Sequence, residues 1–123
     1  MVTEEINYDV LIVGAGPSGL SAAIKLKQLA SENNQDISVC VVEKASQIGG
    51  HTLSGAVIDI TSLAELLPNW KNTNPPIVTP VTKDNFFYFT KKSALKIPNF
   101  LLPNTLSNKN HFVVSLSEVV KWM

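Results

Sequence analysis

Gly14-Ala15-Gly16-Pro17-Ser18-Gly19 stands directly after the apolar run Tyr8 to Val13 and directly before residues whose apolar members recur at helical spacing. That order is strand, tight turn, helix, and each residue of the turn has a physical task. Gly14 permits the sharp turn. Gly16 removes the Cβ that would hold a diphosphate off the backbone, and Gly19 lets the helix approach the strand. Pro17 fits because the first helical position needs no donor. The helix N-terminus, with its unpaired N–H groups and dipole, favours an anion without a basic side chain. The stretch therefore reads as the diphosphate seat of a βαβ unit. The alternative is a glycine turn that packs helix on strand and holds no ligand.

Tyr8 to Val13 is expected to be a parallel strand buried on both faces. The helix is expected from Pro17 to about Ala30, with Leu20, Ala23, Leu26 and Ala30 inward, and broken by the polar run Ser31 to Asp36. Ile37 to Val42 reads as the second strand and Glu43 closes it. Glu43 follows Gly19 by 24 residues. A carboxylate there can accept from the adenosine ribose hydroxyls, and it would repel a 2′-phosphate.

All six glycines fall at or before Gly55, whereas six of the seven prolines fall between Pro68 and Pro103. The halves obey different backbone rules, so a boundary is expected near 60–70. The expected fold class is α/β: a Rossmann-like FAD/NAD(P)-binding βαβ unit over 1–65, then the start of an α+β second domain over 66–123, truncated. In the second half, Leu63 to Leu67 reads as a helical turn, Phe86 to Thr90 and Phe112 to Val114 as strands. Pro75, Pro76 and Pro80 argue against sheet interior. Ser115-x-x-Glu118 has the pattern of a capping box opening a final helix, which meets Met123 with no capping glycine or asparagine.

Of 123 residues, 45% are hydrophobic and 16% charged, the balance of a globular chain. Ten basic and ten acidic side chains cancel, which argues against nucleic acid as a partner. The uncharged stretch Val10 to Ile24 is too short and glycine-rich for a membrane span. The acidic start, Met1 to Glu5, is expected to leave no room for a signal or transit peptide, so that the chain begins in a cytoplasm-like compartment or its presequence is already gone. Cys40 is the single cysteine, in an apolar strand pattern where it is expected to be core. No disulfide or four-thiolate cluster can be built within the chain, so no metal ligand is nominated, and no catalytic residue.

The run Glu43-Lys44-Ala45-Ser46-Gln47-Ile48-Gly49-Gly50-His51-Thr52-Leu53-Ser54-Gly55 resembles the second motif of FAD-binding flavoproteins, an acid followed six residues later by paired glycines. Paired glycines let backbone pass close to the flavin-side phosphate and ribitol. The alternative is an ordinary glycine loop. From Tyr8 through Ala23, and again at His51-x-Leu53-Ser54-Gly55-Ala56-Val57, the sequence resembles the electron-transfer flavoprotein:ubiquinone oxidoreductase family. Leu67-Pro68-x-Trp70, Thr79-Pro80-Val81-Thr82-x-Asp84, Lys92-Ser93-Ala94, Ile97-Pro98, Leu102-Pro103 and Val114-Ser115-Leu116 follow in that family's order, so the resemblance runs from about residue 8 to 123. Gly50 departs from it, since alanine is more usual there.

The resemblance implies an electron-transferring-flavoprotein dehydrogenase, peripheral to the inner membrane on the mitochondrial matrix or bacterial cytoplasmic face. Its partners would be electron-transfer flavoprotein and ubiquinone, and its cofactors FAD and a [4Fe-4S] cluster. It also implies cofactor-binding roles for Gly14, Ala15, Gly16, Pro17, Ser18, Gly19, Glu43, Lys44, Gly49, Gly50, His51, Ser54 and Gly55. The cluster cysteines would lie elsewhere in a longer polypeptide, so these residues alone are expected to be inactive. His51 reads equally as a flavin neighbour and as a histidine bonded to backbone; His111, in a polar loop, reads as solvated. Lys91 to Pro103 places cations beside an apolar, proline-bent loop, either a segment dipping into lipid headgroups near a quinone entrance or a loop whose Phe100, Leu101 and Leu102 fill the core. Two other functional classes stay open: a different FAD-dependent oxidoreductase, of monooxygenase or prenyl-reductase type, and a non-catalytic remnant or interaction module.

Overall fold

The computed structural model describes residues 5–123, so all of the acidic start Met1 to Glu5 except Glu5 lies outside the described residues. Strand β1 (Val10–Val13) and strand β2 (Val39–Val42) pair in parallel, Val10 opposite Val39 and Val13 opposite Val42. The register is set at the strand entrances. Asp9 accepts from the Ser38 amide at 2.8 Å and its hydroxyl at 2.6 Å, and the Asp9 amide donates to Ser38 Oγ at 2.9 Å. Helix α1 (Pro17–Glu32) crosses between the strands and runs two residues past the expected break. Its end is an Asn cap: Asn33 Nδ2 donates to the Leu29 carbonyl, Asn34 takes a left-handed φ of 53°, and the Gln35 amide returns to Ala30.

Strand β3 (Ser54–Ile58), strand β4 (Thr79–Pro80) and strand β7 (Phe112–Ser115) form an antiparallel sheet ordered β3-β7-β4. Pro80 lies on its edge, where a missing N–H breaks no ladder. Helix α2 (Thr61–Leu66) and helix α3 (Leu116–Trp122) close over this sheet. The core is Trp70, Ile77, Val114 and Val119, packed by Ile58, Leu63, Leu67 and Phe112. It draws on both sides of the boundary expected at 65. Strands β5 (Phe86–Phe89) and β6 (Ala94–Ile97) form a separate hairpin, turned by Thr90 and Ser93.

Several expectations change. The β1 strand is covered on one face only: Ile12 faces α1, while Leu11 is 61% and Val13 82% exposed. A parallel strand needs a helix on each side for full burial, and these residues bring one. Cys40, opposite Leu11, is half-buried rather than core for the same reason. Strands β3, β4 and β6 were not foreseen. Ser115 is the N-cap of α3 by position, but its side chain makes no capping hydrogen bond; Glu118 pairs instead with Lys121 at 2.9 Å, so the capping box does not form. Phe100 is 84% and Leu101 65% exposed, so they do not fill the core.

Candidate dinucleotide site

The glycine corner lies between β1 and α1. Gly14, at φ +102°, takes a conformation that L side chains rarely adopt, and its amide extends the strand ladder to the Val42 carbonyl at 2.7 Å. A Cβ at Gly19 would collide with the Gly14 carbonyl oxygen, which makes close packing of helix on strand possible only for glycine. Gly16 is different: a Cβ there meets nothing within 4 Å, so the space above the turn is open. Pro17 is the first helical residue. Among the described residues the amides of Ser18 and Gly19 have no protein acceptor, as expected for a first helical turn. An open cradle floored by unpaired N–H groups fits a diphosphate.

Glu43 leaves β2 directly beside this corner. Its Oε2 accepts from the buried Ala15 amide at 2.8 Å and its Oε1 from the Ala45 amide at 2.8 Å. These two backbone bonds, Ala45 first and then Ala15, hold its pKa below the ordinary 4.5, with a smaller contribution from the charge of His51. The carboxylate is thus anionic at neutral pH and ties the glycine corner to the loop that follows. Each oxygen keeps a lone pair for a further donor. Gly49 and Gly50 lie in that loop, Gly49 buried at φ +76° and Gly50 donating to the Gln47 carbonyl. His51 is exposed beside them, within electrostatic reach of Glu43. Lys44 is exposed and points no bond at the corner.

A sequence family described as NAD(P)-binding Rossmann-like domain matches residues 12–78, more than half of the chain. The chain belongs to that family. This Rossmann-like chain is also 52% identical over 99% of its length to an electron transfer flavoprotein-ubiquinone oxidoreductase, mitochondrial, of Arabidopsis thaliana. It is 49% identical over its whole length to the protein named electron transfer flavoprotein-ubiquinone oxidoreductase in Pseudomonas aeruginosa, and 53% identical over 94% to the mitochondrial one of Rattus norvegicus. It spans 18%, 22% and 18% of those relatives' lengths, about a fifth. The resemblance read from the sequence therefore holds over nearly the whole chain.

The remaining nominated residues take backbone roles in the Rossmann-like chain. Ser54 opens β3 opposite Ser115, and Gly55, at φ +80°, makes the bulge that shifts register before Ala56. His111 is not simply solvated: its Nε2 lies 3.9 Å from Asp59. A cleft of about 860 Å³ runs along the flank of α1 beside Leu20, Ile24, Val39 and Val41, and none of the glycine-corner residues lines it. Its floor is the apolar flank of the two-stranded sheet, and Lys27, Gln28, Ser31 and Glu32 of α1 line its polar side. No group of three metal-ligating side chains occurs among the described residues. Sequence reading missed Ser117, which reaches the Gly49 loop from 68 positions away; no local pattern signals a contact of that range.

Proposed function

We propose that the two glycine segments bind FAD within an oxidoreductase that passes electrons from reduced electron-transfer flavoprotein to ubiquinone. One observation carries the reading: Glu43 bridges Ala15 and Ala45, joining the open glycine corner to the start of the loop that carries Gly49 and Gly50 at one strand end. The names of the relatives support the choice of cofactor and reaction. In this reading the Ser18 and Gly19 amides hold the diphosphate at the positive end of α1. The ionised Glu43 accepts from an adenosine ribose hydroxyl through its free lone pairs and disfavours a 2′-phosphate. Gly49 and Gly50 run beside the flavin-side phosphate, and His51 stands next to the flavin. FAD, when bound, supplies the redox chemistry; these residues bind it, orient it and set the local charge.

The [4Fe-4S] cluster belongs to the same proposal, with ligands outside these residues, since Cys40 is the single cysteine. The division into 1–65 and 66–123 is proposed as cofactor and quinone segments, with β3 and β7 pairing across it. Contact with an inner membrane is proposed through the exposed Phe100 and Leu101, beside the exposed Lys91, Lys92 and Lys96. The test is transfer of electrons from reduced electron-transfer flavoprotein to a soluble ubiquinone by the complete native polypeptide. Flavin-dependent quinone reduction is expected; a flavin-loaded protein reduced by NAD(P)H but not by electron-transfer flavoprotein would contradict it.

A further inference from the structure

The Gly49 carbonyl is a node. It accepts from the Thr52 amide at 3.1 Å and from Ser117 Oγ at 2.9 Å, the second partner lying near the start of α3. The approach is close: a Cβ at Gly49 would fall 2.7 Å from the Ser117 carbonyl oxygen and 2.9 Å from its hydroxyl oxygen. Helix α3 is anchored by Val119 and Val120, 4% and 1% exposed, so the Ser117 hydroxyl is held by the core rather than by the loop it touches. The loop has little else to fix it; Ser46, Gln47, Ile48, Gly50 and His51 are all exposed.

We infer that Ser117 is a positioning residue for the cofactor, holding the Gly49-Gly50 loop in the shape that receives the flavin-side phosphate. The role rests on the FAD reading above. With the Gly49 carbonyl committed to two donors, the loop's glycines need not be ordered by the ligand itself. Pre-ordering of that kind lowers the cost of binding. One part-buried hydrogen bond to a backbone carbonyl is worth roughly a few-fold to tenfold in an equilibrium.

The experiment compares the complete native polypeptide with Ser117→Ala and Ser117→Thr. Amide hydrogen exchange over residues 46–53 is followed without FAD, and FAD affinity and the visible circular dichroism of bound flavin are followed with it. Ser117→Ala is expected to speed exchange at Thr52 about fivefold, to weaken FAD about tenfold and to alter the flavin dichroism. Ser117→Thr, which restores the hydroxyl, is expected to reverse all three. Unchanged exchange in Ser117→Ala would overturn the latch; faster exchange with unchanged FAD affinity and dichroism would overturn its role in positioning. A wild-type protein that binds no FAD would instead defeat the flavin reading, before any variant is compared.

Discussion

Glu43 shows how one side chain serves both fold and site. Its carboxylate is stabilised by the Ala45 and Ala15 amides, so its folded-state pKa lies below 4.5 while the unfolded value does not. A depressed carboxylate contributes stability that is complete above the unfolded pKa and disappears as pH falls through the folded one. Asp9, bonded first to the Ser38 side chain, and Asp59, bonded first to the Thr61 side chain, have the same sign. Stability is therefore expected to fall progressively below pH 4.5, and Glu43→Gln to make that slope shallower without abolishing it. The variant should also melt lower at neutral pH, because a glutamine offers one acceptor oxygen where two amides need partners. Thermal melts from pH 3 to 7 check this; superimposable slopes would contradict it. The position of Glu43 at a strand end was legible in the sequence. Its bridge to Ala15 and Ala45 was not, since that depends on where the strand end meets the glycine corner in space.

Among elements, β1, α1 and β2 were legible because strong local signals agree: an apolar run, glycines at fixed offsets, a proline at the first helical position. β3 and β6 were obscured. Ser54-Gly55 carries a bulge that spoils alternation, and the lysine in Ala94-Leu95-Lys96-Ile97 made an exposed strand look like a basic loop. The capping box at Ser115 matched in pattern and failed in geometry. Ser115→Ala is accordingly expected to change stability by less than about 0.5 kcal/mol, against the ~1 kcal/mol typical of a bonded cap. Urea unfolding measures it, and a loss above ~1 kcal/mol would mean that the hydroxyl caps α3 after all.

For the whole molecule, the distribution of uncovered apolar surface matters most. Leu11 and Val13 leave one face of the parallel sheet open, and Phe100 and Leu101, just after the β5-β6 hairpin, are a second exposed apolar pair in a lysine-containing stretch. Composition could not reveal either, because exposure depends on which layers pack where. The proposed membrane contact predicts that the complete native polypeptide sediments with anionic vesicles, and that Phe100→Glu with Leu101→Glu weakens this at least about tenfold. Equal sedimentation of wild type and variant would remove that surface from the account.

Gly16 offers the sharpest test of the diphosphate seat, since its φ of −80° suits any residue and its Cβ direction is empty of protein atoms. Gly16→Val is expected to stay folded, with stability within about 1 kcal/mol of wild type, while its side chain takes the space a diphosphate needs. FAD titration of the complete native polypeptide and of this variant measures the consequence directly. Wild type is expected to bind FAD and Gly16→Val to lose at least about a hundredfold in affinity; equal affinity in the two, or no flavin binding by either, would overturn the diphosphate seat.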